Sequence, residues 1–593
     1  MDLQVGFNTE TLVLATTLRN SSDVQVFGRR YSARSPEHPT LQPLFMVRVL
    51  SFTLRGVVLV AIEADHRQPE VMVTPSLSTP HLHVKPGTTW SDAYARCREA
   101  APEAFDPDRL RNLWGGRWRR TGDPLRSVTP VDGSPIAGPP MIEPDEAHEA
   151  IRATLDDHKQ WRDVPISDRK ARVTAAVDAM DDHRDLLALL LVWEIGKPWR
   201  LARTDVDRAL DGVRWYVEEI DRMIDGRGPL PGPVSNIASW NYPMSVLMHA
   251  MLVQVLAGNA AIAKAPTDGG AACLTLACAL ARRAGLPVAL VSGSGSRLSS
   301  ALVRAPEIGC LAFVGGRSSG GQVAAALVDT GKRHFLEQEG LNAWGIWEFS
   351  QWDLLAAHLK KGFEYGKQRC TAYPRYVVQR QLFDQFLAAY LPVVASVRFG
   401  HPLAVAHDDD PLPDLDYGPV ITAAKSAELA GKINEAVGKG GVPLYRGAIA
   451  DGAFVPGQDT SAYVPPVAVL APPPSCALHH AEPFGPVDTI VVVDSEAELL
   501  AAMNASNGSL VASLACDNET LAHRLSGEIQ AFKVGINKPR SRGDRDEPFG
   551  GRGASWKGAF VGGDHLVHAV TVDSDPEERL YGNFPSYSLY PPT

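Results

Sequence analysis

Residues 234–264, VSNIASWNYPMSVLMHAMLVQVLAGNAAIAK, decide how this chain folds. Val234–Ala238 reads as a buried strand. Pro243 opens an apolar helix that runs to Ala257, and Asn259–Lys264 reads as a second strand. The alternation continues downstream. A helix spans Gly269–Ala284 with Gly285 as its cap, a strand Val288–Ser292, a short helix Ser296–Arg304 and a strand Gly309–Val314. A helix follows from Ser318, then a strand at His334–Glu337. Strands that are apolar throughout, each followed by a helix, predict an α/β fold with a parallel sheet covered on both faces. Such sheets bind ligands at the carboxyl ends of their strands, near a switch point in strand order. Lys264, Gly293, Gly315 and Glu337 all fall at or just past strand ends.

Upstream, apolar residues recur at helical spacing over 143–224, which predicts three or more amphipathic helices with Gly196 as one cap. Residues from Leu110 to Pro140 read as strands and turns. Downstream, Trp352–Gln368 is predicted helical and delivers Cys370 to its end. A second alternating region runs from Arg375 to Asn537, with strands at Arg375–Val378, Asp488–Val493 and Leu510–Cys516 and helices at Leu382–Val394 and Ala423–Val437. The tail from Pro548 holds one strand-like run, His565–Val572. The expected division is an N-terminal extension of unassigned role over 1–104, a dinucleotide-binding domain over 105–337 and a catalytic domain over 338–540. A C-terminal return with an oligomerisation strand would occupy 541–593. Within the extension, Leu44–Ile62 and Glu70–Thr74 are strand-like. His81 and His83 have no third ligand close in sequence, so no metal site is expected.

The 593 residues allow two or three domains. A net charge of −10 argues against nucleic-acid binding. No run of about 18 apolar residues free of charge occurs, and the nearest candidate, Pro43–Ile62, is broken by Arg48 and Arg55, so no membrane span is expected. The first twenty residues lack a basic start with an apolar core, so no secretory leader is expected either. Seven cysteines without metal or disulfide spacing suggest a reducing, cytoplasmic compartment, where a single thiol can act as nucleophile.

Three stretches carry chemistry. Cys370 ends KGFEYGKQRC, Glu337 lies in HFLEQEGLN, and Asn241 lies in SWNYP. A thiol, a carboxylate and a carboxamide can attack a carbonyl, activate a water and hold an oxyanion. Most free cysteines are simply core, and Cys273, Cys278, Cys310 and Cys516 sit in apolar helix or strand positions that fit that role. Asn241 could equally cap the helix after Pro243.

From about Asp106 onward the chain resembles the aldehyde dehydrogenase superfamily. The landmarks come in family order: WNYP (240–243), AGNAAIAK (257–264), FVGG (313–316), LEQEGLN (336–342), FEYGKQRC (363–370), EPFGPV (482–487) and PFGG (548–551). The resemblance implies a Rossmann-type cofactor domain beside a second α/β catalytic domain, NAD or NADP as cofactor, and an aldehyde as substrate. It implies Cys370 as nucleophile, Glu337 as general base and Asn241 as oxyanion donor. It also implies Trp240, Lys264, Thr267, Gly293, Gly295, Gly316, Glu482 and Phe484 around the dinucleotide.

Several residues depart from the family pattern. Thr267 stands where many NAD-preferring members carry a glutamate, which leaves room for a 2′-phosphate. FVGG replaces the usual FTGS. Gln338-Glu339-Gly340 replaces Leu-Gly-Gly, making Glu339 a rival base or a like charge beside Glu337. The connector before WNYP is short, so a homodimer through the C-terminal strand is expected rather than the family tetramer. The unusual residues beside Glu337 leave two alternatives open: a CoA-acylating relative, and a catalytically silent dinucleotide-binding scaffold.

Overall fold

The computed structural model describes residues 81–574 apart from 451, 507 and 542–546, together with five short strands between residues 6 and 64. The chain divides into two compact units, Met1–Thr79 and Pro80–Thr593. In the first unit, Gly6–Asn8 pairs antiparallel with Thr11–Val13, and Val26–Arg30, Val47–Leu54 and Val57–Ala64 form an antiparallel meander. The run Leu44–Ile62 is thus two strands rather than one, while Glu70–Thr74 lies outside the described residues.

The second unit is built on two sheets. The first uses β1 (Asn112–Trp114), β2 (Arg117–Arg119), β3 (Val234–Ala238), β4 (Ala261–Lys264), β5 (Val288–Val291), β6 (Cys310–Val314) and β7 (Arg333–Glu337). Its order is Trp556–Gly558, β7, β6, β3, β4, β5, β1, β2, and the five strands from β7 to β5 are parallel. Burial on both faces explains why these strands are apolar throughout. Ile262 faces a cluster with Ala147 and Ile151 of the helix Pro144–Trp161, whereas Ala261 and Ala263 face the larger core of helices 166–223 and 271–283. The four helices of 143–224 are Pro144–Trp161, Ile166–Asp182, Arg184–Ile195 and Trp199–Met223, and Gly196 ends the third in left-handed backbone. After Pro243 the helix begins with wide π-type turns to Met248 before regular turns over His249–Leu256.

The second sheet comprises β8 (Ala343–Ile346), β9 (Arg375–Gln379), β10 (Val442–Arg446), β11 (Val467–Leu470), β12 (Val487–Val493), β13 (Ser509–Ala515) and β14 (Ala531–Ile536). Its order is β10-β11-β12-β9-β8-β13-β14, parallel except at the β10 edge. The chain then returns to the first sheet, where Trp556–Gly558 pairs antiparallel with β7.

Three expectations change. Residues 81–104 belong to the second unit: His83–Val84 pairs with Ala404–Val405, and Ala93, Tyr94 and Cys97 of the helix Trp90–Ala100 enter its core. His83 also meets Asp408 at 2.7 Å. The run His565–Val572 is a helix, Asp564–Ala569, followed by the strand Thr571–Asp573, which pairs with Arg227–Pro229. Asp564 in its first turn is held by Arg222, and Leu566, Val567 and Ala569 are buried. Finally, the helix from Trp352 stops at Gly362, short of Gln368. Tyr365, Gly366 and Lys367 take φ of 59°, 57° and 58°, which no right-handed helix accommodates.

Candidate active site

The chain runs outward from β3 to β4 and β5, then crosses back to β6 and β7 on the other side of β3. The strand order therefore switches between β3 and β6, and a crevice opens at their carboxyl ends. Ser239–Tyr242 emerges there from β3, Gly315–Gly316 from β6, and Glu337 closes β7.

Cys370 reaches this place through the left-handed turn. Gly366 tolerates positive φ, but Tyr365 and Lys367 each store roughly 1 kcal/mol or more. Tertiary contacts hold them. Lys367 Nζ is fully buried 2.6 Å from Asp488 and donates to the Tyr373 carbonyl and the Tyr376 hydroxyl, both at 3.0 Å. Tyr390 Oη donates to Asp488 at 2.7 Å, and the Tyr365 N–H donates to the Asp416 carbonyl at 2.8 Å. Gln368 is anchored at both ends: its Oε1 accepts from the Ile421 N–H, and its Nε2 donates to the Pro419 carbonyl. Asn342 Nδ2 donates to the carbonyls of Cys370 and Ala372 at 2.7 and 2.8 Å, while its Oδ1 accepts from the Val511 N–H. Cys370 is the one cysteine of the seven that is not buried. Burial pushes Cys97, Cys278 and Cys310 up to about 12 and raises Cys273 and Cys516 as well, which makes them inert thiols.

Asn241 joins the two halves. Its Nδ2 donates to the Gln368 carbonyl at 3.1 Å, two residues from Cys370, and its Oδ1 accepts from Ser239 Oγ at 2.7 Å. The side chain is buried and makes no capping hydrogen bond to the helix after Pro243, so a helix-capping role does not account for it. Trp240 lies edge-on to Phe484 (5.9 Å) and to Tyr365 (6.3 Å), so the β3 loop touches both the 482–487 loop and the turn that carries Cys370. Tyr242 packs against Tyr365 under the buried Lys197, whose Nζ is 3.9 Å from the Tyr242 ring centre and 2.8 Å from Asp205. Asp205 also accepts from the Ser245 N–H, which fixes the start of the helix after Pro243.

On the far side of the crevice, Lys264 ends β4 almost fully buried. Desolvation lowers its proton affinity, and its Nζ donates to the Ala265 carbonyl. Thr267 is half-buried in the following loop. A side chain on Gly295 would stand 3.9 Å from Lys264 Cε, so these two face each other. Gly293 has a packing reason to lack a side chain, since a Cβ would lie 2.5 Å from Leu298 Cδ1. Glu482 is buried, and its Oε1 has no hydrogen-bond partner among the described residues. Desolvation first, then the charge of Glu339, holds its carboxyl well above the usual carboxylate range. Phe484 beside it has φ of 51°. A buried lysine at a strand end, an orphaned buried carboxyl and an edge-on tryptophan suit a ligand with hydroxyls and negative charge, such as a dinucleotide. Glu337 is buried at the end of β7. Glu339 lies past that strand and turns to the helix Arg317–Leu327, where its Oε2 accepts from the Arg317 N–H at 3.3 Å.

Sequence reasoning missed Asn342, Lys367, Asp488, Lys197 and Asp205. Asn342 ends the quoted run LEQEGLN. Lys367 lies within the quoted run FEYGKQRC, and Asp488, Lys197 and Asp205 carry no local signal, because each partner comes from a different element.

A model described as the aldehyde dehydrogenase family matches residues 118–573. Among curated proteins, the NADP/NAD-dependent aldehyde dehydrogenase PuuC of Escherichia coli (strain K12) is 28% identical over 75% of this chain and 90% of its own length. The NADP-dependent glyceraldehyde-3-phosphate dehydrogenase of Pisum sativum is 26% identical over 82% of this chain and 98% of its own. Among solved structures, the NADP-dependent glyceraldehyde-3-phosphate dehydrogenase from Bacillus halodurans C-125, complexed with NADP, superposes with a TM-score of 0.70. It is 26% identical and covers 78% of this chain and 98% of its own.

Proposed function

This chain belongs to the aldehyde dehydrogenase family and oxidises aldehydes to carboxylic acids with NAD or NADP, and from that premise we propose that Cys370, Asn241 and Glu337 carry out the chemistry. The Cys370 thiolate adds to the aldehyde carbon, and the carbonyl electron pair moves to oxygen. A carboxamide NH2 has two hydrogens. One of Asn241's goes to the Gln368 carbonyl, and the other, with the Cys370 backbone N–H, faces the oxyanion. The dinucleotide, when bound, supplies the hydride acceptor. Loss of hydride from the reacting carbon leaves a thioester on Cys370. Glu337 then takes a proton from water, the resulting hydroxyl adds to the thioester carbon, and the thiolate departs as the acid forms. The observation that carries this reading is Cys370 itself, accessible where six other thiols are buried and tied through its own loop to Asn241.

Trp240, Lys264, Gly295, Gly316, Glu482 and Phe484 would hold the dinucleotide, with Gly293 shaping the loop. Thr267, being neutral, accommodates a ribose with or without a 2′-phosphate. No helix among the described residues is long and apolar enough to cross a membrane. All seven cysteines are free, which supports a cytoplasmic setting. A homodimer through the C-terminal strand Thr571–Asp573 completes the reading.

The test is aldehyde-dependent NAD(P)H formation by a Cys370→Ala variant. A fall of at least about 10³-fold is expected, and full retention would contradict the assignment. In the wild type, free acid is expected without coenzyme A. Acyl-CoA appearing only when CoA is added would point instead to transfer to a thiol.

A further inference from the structure

Glu339 has no counterpart in the chemistry above, yet it occupies a telling position. It follows β7 by two residues, and an extended chain would set it on the same side as Glu337. Instead its carboxylate accepts from the N–H of Arg317, the first residue of an eleven-residue helix. It lies over Gly316, 3.7 Å from where a Cβ on that glycine would stand. This helix leads directly from β6, one of the two strands that flank the switch point, so its amino end faces the crevice. Free N–H groups and the helix dipole make such an end a place for an anion. The protein has put its own anion there.

A second observation marks the same place as a ligand's. Glu482 is 5% exposed, and its Oε1 lacks a hydrogen-bond partner among the described residues. Of the charges around it, Glu339 acts most strongly, ahead of Lys425, Arg317 and Glu337. A buried carboxyl oxygen left bare beside a capped helix end is a poor arrangement unless a hydroxyl-bearing ligand completes it.

We propose that Glu339 sets this enzyme's affinity for its dinucleotide: the carboxylate seated on Arg317, beside Glu482, occupies the helix end that an anionic cofactor would otherwise take, so the cofactor binds only by displacing it. The inference rests on the dinucleotide reading of the crevice. Glu339 is thereby a determinant of cofactor affinity, not a second base. Its charge opposes the phosphates of the incoming dinucleotide, and its release leaves the Arg317 N–H to them.

The experiment is a fluorescence titration of the full chain with NADH and with NADPH, without aldehyde. Glu339→Gln keeps the shape and removes the charge. It is expected to lower Kd about fivefold to tenfold at low salt, with the gap to wild type closing as ionic strength rises. Glu339→Gly, which deletes the carboxylate altogether, is expected to act in the same direction and serves if the glutamine variant misfolds. Unchanged or weaker binding in a folded variant would overturn the inference while leaving the enzyme's activity in place. A wild type that binds neither nucleotide would overturn both this inference and the cofactor reading beneath it.

Discussion

Asn342 is a good measure of how much of the site depends on residues that never meet the substrate. Its one carboxamide satisfies the carbonyls of Cys370 and Ala372 and the N–H of Val511, all inside the protein. Asn342→Ala would leave two carbonyls and one N–H without their partner, and the Cys370 loop would lose one of its ties to β13. A shift of about 1 Å in a nucleophile can cost about 10²-fold. The expected outcome is a fall in kcat of about 10- to 100-fold with KM for the aldehyde little changed, and a changed rate of Cys370 alkylation by iodoacetamide. Alkylation and kcat both at wild-type values would show that the loop holds without Asn342. The residue was in plain view at the end of LEQEGLN. Its role was not, because its partners are set by the register of β8 and β13, which no local pattern encodes.

Among elements, those with strong periodicity were readable, and those governed by distant partners were not. The apolar strands β3 to β7 and the helices between them follow from their own sequences. The turn at Tyr365–Lys367 does not. Its apolar spacing continues the helical pattern, and contacts with distant elements, the buried Lys367–Asp488 pair made with β12 among them, hold the strained backbone in place. Glu194 is a comparable case. It ends the helix Arg184–Ile195 and accepts from the N–H groups of Ala272 and Cys273, at the start of the helix Ala271–Arg283. Burial raises its carboxyl from 4.5 to about 7. Between those values the folded state holds a proton that the unfolded state has lost. Glu194 therefore favours folding most below about pH 4.5, and that contribution disappears as pH rises through about 7. In urea unfolding, the stability of Glu194→Gln relative to wild type should rise by roughly 3 kcal/mol between pH 5 and pH 8. A gap independent of pH would contradict this assignment.

At the scale of the molecule, the proposed site draws on both sheets. The carboxamide of Asn241 and the carboxylate of Glu337 come from the carboxyl ends of β3 and β7. The thiol of Cys370 comes from the loop entering β9, and Glu482 from the loop entering β12. The sequence showed both alternating regions and the residues at their strand ends. It did not show which loops would touch, since the contacts of Trp240 with Phe484 and of Asn241 with Gln368 depend on how the domains dock. Nor did it place residues 81–104 with the main body, because the partners of the two-residue strand His83–Val84 and of the helix Trp90–Ala100 lie far along the chain. The central claim is that thiol and carboxylate act in sequence on one carbon. Its most direct test is rapid quenching of Glu337→Gln with an aldehyde and NAD(P)+, followed by mass spectrometry of the Cys370 peptide. The account predicts one equivalent of NAD(P)H in a burst and an acyl group retained on Cys370. Steady turnover with no acyl group on that peptide, or an acyl group on any other cysteine, would contradict it.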